Sequence, residues 1–306
     1  MKFMIFSPTY DDNNGGAIAL HYLCHLLNEL GHNAKITPFY KTYESDQQFF
    51  LKSFFKSINS KLRAMRKNFS TCPGLNTPVS YNAPYPIPND VVVIYPETVA
   101  GNPLCAKNVV RWLLHRPGYH TGKICYGLGE LYFDYNAFSG GFGIPGSKIS
   151  EKKLFIAKYH AHLYNKQGAL PQESRIGVAY CIRKGKGKKM VHDSHNSILI
   201  DGLSHEEISK IFKHVKTFIS YDTKTMYSIL ALACGAESIV VPDEGVSKED
   251  WEPNHVRTYG IAYGLNDLDN AHKTTPDAIK QLDTFEFISK QAVSEFAQET
   301  QAYFQL

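Results

Sequence analysis

The sequence predicts an α/β fold built on two doubly wound parallel sheets. Strand-like apolar runs alternate with helix-like ones in two separate blocks of the chain, the pattern of βαβ units. The clearest runs, Lys2 to Phe6 and Asp90 to Tyr95, are almost continuously apolar, as strands covered on both faces are. The length, 306 residues, suits two medium domains or one large one at roughly 100–200 residues each, and either buries a sizeable core. We expect a first Rossmann-like domain over residues 1–150, a second over 151–275, and a terminal helix over 276–306.

Composition narrows the class. With 43% hydrophobic and 20% charged residues the chain is neither a disordered tail nor a fibre. No apolar run approaches the roughly 18–20 residues that span a bilayer. The N-terminus has too short an apolar stretch before Ser7 and Pro8 for a signal peptide, so a cytoplasmic location is expected. The net charge of +4 names no partner by itself, because local clustering matters more. Cys24, Cys72, Cys105, Cys125, Cys181 and Cys234 form no C-x-x-C pair and read as reduced core residues. His160 and His162, and His192 and His195, lack companion cysteines or an H-E-x-x-H pattern, so no metal site is expected.

The elements follow in order. Lys2–Phe6 is the first strand, and a polar loop runs from Thr9 to Gly16. Ala17–Leu30 is an amphipathic helix with Leu20, Leu23, Leu27 and Leu30 on one stripe, closed by Gly31. Asn33–Thr37 is a strand. From Phe49 to Asn89 there is no Asp or Glu, and Lys52, Lys56, Lys61, Arg63, Arg66 and Lys67 interleave with apolar residues at helical spacing. Residues 50–69 thus read as a basic amphipathic helix, fit either to dock on an anionic membrane face or to cover a core with a solvated basic side. Next come the Asp90–Tyr95 strand, a helix over Pro103–Leu114, strands at Lys123–Gly127 and Tyr132–Tyr135, and a Gly-rich loop from Ser139 to Gly146. In the second block, Arg175–Ile182 and Ser197–Ile200 are strands. Ser204 and Glu207 form a capping box for a helix to His214. Thr217–Ser220 is a strand, Thr223–Ala233 a helix ended by Gly235, Glu237–Val241 a strand closed by Pro242, and Pro276–Tyr303 the terminal helix.

Four segments carry chemistry. Arg183, Lys184, Lys186, Lys188 and Lys189 directly follow an apolar strand, with Gly185 and Gly187 letting backbone approach a ligand. A forked guanidinium and point-charge lysines at the carboxyl end of a strand suit a leaving diphosphate; a solvated turn or a nucleic-acid contact are the other readings. The run Tyr221, Asp222, Thr223, Thr225 and Tyr227 opens the next helix, with Asp222 or Thr223 as N-cap and free N–H groups facing an anion. Gly15 and Gly16 precede the first helix without a G-x-G-x-x-G, and no Walker loop or G-x-S-x-G elbow occurs, so the motifs speak against a Rossmann dehydrogenase. Glu97 and Asn102 follow a buried strand, and His115 and Arg116 precede a Pro-Gly turn; Glu97 or His115 is the candidate base.

Two Rossmann-like halves, the Gly15-Gly16 loop before the first helix, the Arg/Lys-Gly loop and a helix ending A-L-A-C-G resemble the GT-B glycosyltransferases, over most of the chain and least over residues 40 to 85. Within that family YPE, GNPL, VRWLLHRPG, ISYDTKT, ALACGAESIVVP and RTYGIAYG, in this order, look like a bacterial group that builds surface polysaccharide. The resemblance implies two Rossmann-like domains facing across a cleft, with the terminal helix crossing back to the first. It implies a nucleotide-sugar donor on the second domain, a lipid-linked, lipopolysaccharide or polysaccharide acceptor on the first, and no metal or other cofactor. No nucleic acid is expected, and residues 50–69 are the possible contact with the inner membrane face. Arg183 and Lys188 match an Arg–Lys pair facing the donor diphosphate, with Lys184 adjacent. The family's two-glutamate motif is absent: its positions hold Asp222 and Leu230, so the ribose contact falls to Asp243 or Glu244. Catalysis then rests on Arg183 and Lys188, with Glu97 or His115 as base and Gly15, Gly16 and Asn102 on the acceptor side. Asp267 and Asp269 spell D-x-D in a polar loop and are not read as metal ligands. The rivals are another nucleotide-sugar enzyme, such as an epimerase, and a non-catalytic polyanion or nucleic-acid binder.

Overall fold

The computed structural model describes residues 1–12, 14–38, 69–81, 84, 86–135, 142–158, 160–251 and 258–306. The basic segment 50–69, apart from Phe69, lies outside them. The chain divides into one unit of residues 1–158 with 285–306 and a second of residues 159–284.

The first unit holds six strands: β1 (Lys2–Ser7), β2 (Asn33–Pro38), β3 (Val91–Pro96), β4 (Asn108–Leu113), β5 (Leu131–Asp134) and β6 (Lys148–Lys153). They form one sheet in the order β2-β1-β3-β4-β5-β6, every pairing parallel. Helix α1 (Gly15–Glu29) starts where the Asn14 side chain accepts the Ala17 N–H, and Gly31 follows its end at φ 81°. Its Leu20, Leu23 and Leu27 are buried against Phe3, Ile5, Ile94 and Trp112. Phe296 completes that core, its ring 4.8 Å from Phe133.

Two expected elements differ. Residues 108–113 form β4 where a helix was expected over Pro103–Leu114. Every residue of β4 is buried, including Arg111, which is an interior group of a central strand. Lys123–Gly127 is irregular rather than a strand, part of a long loop after β4 with Gly118, Gly122 and Gly129 at positive φ. The edge strand β6 was not anticipated, because its mostly polar KISEKK sequence carries almost no apolar pattern.

The second unit holds β7 (Val178–Cys181), β8 (Ser197–Leu199), α2 (His205–His214), β9 (Thr217–Ser220), α3 (Tyr227–Ala233), β10 (Glu237–Val240), α4 (Lys248–Trp251), β11 (Ile261–Tyr263) and the start of α5 (Leu268–Phe304). Its five strands, again all parallel, run β11-β10-β9-β7-β8. The capping box is formed: Ser204 Oγ accepts the Glu207 N–H at 3.3 Å and Glu207 accepts the Ser204 N–H at 2.9 Å. Helix α5 begins before Pro276 and passes through it, with the Thr275 hydroxyl bonded to the Ala271 carbonyl at 2.8 Å.

Both sheets are doubly wound. Counted within its own unit, each places the second strand beside the first and the third on the other side, so the order reverses at β1/β3 and at β7/β9. Ligands of open α/β sheets bind beyond the carboxyl ends of the strands at such a reversal. Those ends are Ser7 and Pro96 in one unit, Cys181 and Ser220 in the other. No described helix is long and apolar enough to cross a membrane.

Candidate functional site

In the second unit, the segments at the β7/β9 reversal are the two that carried the strongest sequence signals. Cys181 and Ser220 are register partners, so the chain leaves both strands side by side. The loop after β7 turns back through a Gly185 N–H to Ile182 carbonyl bond of 2.7 Å. Gly185 is buried there, and a Cβ on it would sit 2.1 Å from the Tyr221 carbonyl oxygen. Only glycine allows the two loops to approach this closely.

Arg183 lies within this turn at φ 43°, a left-handed conformation that costs a non-glycine residue roughly 1–2 kcal/mol. Its backbone N–H and that of Ile182 each donate to Asp201 Oδ2 at 3.0 Å. The guanidinium stands 5.1 Å from the centre of the Tyr227 ring. Burial raises the Tyr227 phenol, and the Arg183 charge acts against that rise. Lys184, Lys186 and Lys189 are exposed. Lys188 is engaged differently: its ammonium pairs with Asp243 at 2.6 Å and donates to the Val241 carbonyl at 2.7 Å. Asp243 also accepts the Thr223 hydroxyl at 3.1 Å, so it ties the loops after β7, β9 and β10 together. Glu244 is exposed beside it.

The structure revises the expected helix start. Helix α3 begins at Tyr227, and Met226 occupies the cap position without a side-chain cap bond. Asp222 instead accepts the Lys224 N–H at 3.0 Å, closing a turn of its own, and Thr225 Oγ1 accepts the Tyr227 N–H at 3.3 Å. The polar residues of this run thus shape the loop, and α3, from Tyr227 to Ala233, is a short source of helix dipole. Tyr221 is buried. Its hydroxyl accepts the Val191 N–H and bonds His192 Nδ1, both at 2.9 Å. Burial lowers the His192 pKa and favours its neutral form.

In the first unit the predicted residues are held by the protein's own groups. Glu97 is buried and accepts the Leu114 N–H at 3.1 Å, while the Tyr126 hydroxyl donates to its carbonyl at 2.7 Å. Asn102 accepts the Tyr95 hydroxyl and the Ala106 N–H, both at 3.0 Å, and donates to the Ala106 carbonyl at 2.7 Å. His115 accepts the Arg116 N–H at 2.8 Å, with the rings of Tyr119 at 4.1 Å and His120 at 5.0 Å. Gly15 and Gly16 form the first turn of α1. Nothing lies within 4 Å of a Cβ placed on Gly15.

Three groups escaped the sequence reading. Arg111 and Glu130 are buried and joined by two bonds of 2.9 and 2.8 Å, and Arg111 also donates to the carbonyls of Val99 and Gly101. An Arg inside the apolar run VVRWLL was the available signal. Asp201, in a short Asp-Gly turn, carried none. The cysteines are all free, as expected, and burial pushes the Cys181 and Cys234 thiols up to about 11; Cys105, however, is exposed and not a core residue.

No family model matches the chain, and no curated protein matches it. Among solved structures it is similar to MurG of Acinetobacter baumannii, at 9% identity over 98% of this chain and 100% of that one, TM-score 0.42. It is similar to the DNA-modifying enzyme β-glucosyltransferase, studied with and without uridine diphosphoglucose, at 7% identity over 99% and 100%, TM-score 0.48. It is similar also to CalG4, the calicheamicin glycosyltransferase, at 11% identity over 99% and 98%, TM-score 0.37.

Proposed function

We propose that this chain is a GT-B glycosyltransferase that takes its sugar from a nucleotide-sugar donor bound at the carboxyl edge of the second sheet. The observation that supports it most is the seating of Arg183: a cationic side chain at the β7/β9 reversal, on a loop that only Gly185 allows so close to the next one. With exposed Lys184, Lys186 and Lys189 on the same loop, a diphosphate gaining charge as it leaves meets fixed positive groups. This supplies without a metal ion the neutralisation that the transfer needs. Lys188, already paired with Asp243, acts through the loop rather than on the phosphates, and Glu244 is the better candidate for the ribose hydroxyls.

The first unit carries the acceptor in this reading, a lipid-linked or polysaccharide chain at the inner membrane face. His115 suits the base better than Glu97, whose carboxylate is buried and already accepts the Leu114 N–H. A second reading, a polyanion binder without catalysis, draws on the same exposed lysines.

Thermal shift against UDP, GDP, CMP, CDP, ADP and dTDP tests the donor site. A ligand at a hundredfold excess over its dissociation constant stabilises the folded state by about 2.7 kcal/mol. Selective stabilisation by one diphosphate is the expected result and identifies the donor to assay. Equal response to all, abolished by moderate salt, favours the polyanion reading.

A further inference from the structure

Asp201 lies just past β8, in the turn before the capping box, and is not part of the cationic loop. Its Oδ2 nevertheless accepts two consecutive backbone N–H groups of that loop, Ile182 and Arg183, both at 3.0 Å. One carboxylate oxygen receiving neighbouring N–H groups fixes the orientation of the peptide between them. That peptide leads into Arg183, whose φ of 43° is one that an L-residue keeps only when its surroundings impose it. The restraint continues on the far side, where Gly185 is wedged against the Tyr221 carbonyl and leaves the turn no room to relax toward β9. The side chain that results stands over Tyr227. The other carboxylate oxygen, Oδ1, is buried with no hydrogen-bond partner among the described residues, so the carboxylate is spent on the two N–H groups.

We propose that Asp201 is the positioning residue of Arg183: its carboxylate holds the Ile182 and Arg183 N–H groups so that the guanidinium is fixed at the diphosphate site before the ligand arrives. The inference rests on the reading of Arg183 as the diphosphate-binding group. Preorganisation of this kind lowers the ordering cost of binding rather than adding a contact. Its loss therefore weakens binding only while there is a guanidinium to position.

The test is calorimetric titration of the full chain with inorganic pyrophosphate, which needs no knowledge of the nucleoside. Four proteins are compared: wild type, Arg183→Ala, Asp201→Ala and the double variant. Arg183→Ala and Asp201→Ala are each expected to weaken pyrophosphate about tenfold, and the double variant no more than either alone, the non-additivity of residues that act as one unit. If Arg183→Ala binds as wild type does, the reading of Arg183 fails and the proposal falls with it. If Arg183→Ala weakens binding and Asp201→Ala does not, positioning is wrong although the site stands. If Asp201→Ala weakens binding equally with and without Arg183, its role is general support of the fold. Asp201→Asn guards against a variant that does not fold, since its amide oxygen still accepts both N–H groups. It is expected to keep affinity within about threefold. A tenfold gain instead would show the carboxylate acting only as a charge opposing the anion, and would overturn the proposal.

Discussion

The two strand-order reversals are built alike and used differently. Beside the β1/β3 reversal, after β3 and on the neighbouring β4, the buried charged groups answer one another. Arg111 is consumed by Glu130 and by two backbone carbonyls, and Glu97 by the Leu114 N–H. At β7/β9 the internal ties, Asp201 to two N–H groups and Asp243 to Lys188 and Thr223, leave Arg183 over an aromatic face and several lysines in water. The same topology thus makes an edge closed by paired buried charges in one unit and an edge with exposed cationic side chains in the other. Topology alone names where a ligand can sit; in the proposed function, the exposed cations of the second unit receive the anion.

The largest expected effect breaks the closed edge. Glu130→Ala leaves the Arg111 guanidinium buried with no carboxylate, only carbonyls and the Tyr95 and Tyr126 rings, and removing one member of a buried pair costs about 3–5 kcal/mol. Urea denaturation followed by tryptophan fluorescence reports this through Trp112, which neighbours Arg111 in β4. A loss under about 1 kcal/mol would mean that the pair is not what closes the edge.

The open edge is expected to respond in function rather than stability. Arg183→Ala should lower turnover about 100-fold, or about 2.7 kcal/mol of transition-state stabilisation, with a melting temperature close to wild type. Unchanged turnover with a tested donor would remove Arg183 from the chemistry. Gly185→Ala acts on the same loop through backbone. Its methyl carbon has no space beside the Tyr221 carbonyl, and overpacking of this kind costs about 1–3 kcal/mol. Stability and nucleotide affinity are expected to fall together, and a variant that loses neither would show that the two loops separate freely.

How much of this was legible in the sequence follows the same division. Four of the second unit's five strands and the cationic loop could be read because their signals are local: an apolar run, then Arg, Lys and Gly in succession; the three-residue β11 was not anticipated. The capping box was legible for the same reason, as a four-residue pattern. What failed was non-local. Residues 108–113 were expected within a helix, and the partner that explains Arg111 inside a strand, Glu130, is 19 positions away. Asp201 is 18 positions from the Arg183 N–H that it holds. The expected Asp222 or Thr223 cap failed for a subtler reason: both residues do what capping residues do, but Asp222 closes a turn ahead of the helix and Thr223 reaches across to Asp243.

The smallest effect separates the units by pH. Burial lowers the pKa of His21, His25 and His32 in the first unit and of His192 in the second. His21 is the most enclosed of them: Nε2 bonds the Pro8 carbonyl at 3.1 Å, and Nδ1 is buried without a partner among the described residues. Each folded-state value lies below the unfolded one of about 6.5, so between the two the unfolded chain binds more protons. Stability is therefore complete above about pH 6.5 and is lost as the pH falls through the folded values. With three such groups against one among the described residues, acidification from about pH 7.5 to 5 should lower the melting of the first unit more than that of the second. Differential scanning calorimetry across that range, with His21→Gln as control, reads the difference. The variant should flatten the acid limb of the first unit alone. An equal shift of both units, or no change in His21→Gln, would show that the closed edge and its neighbouring core do not pay for burying these rings.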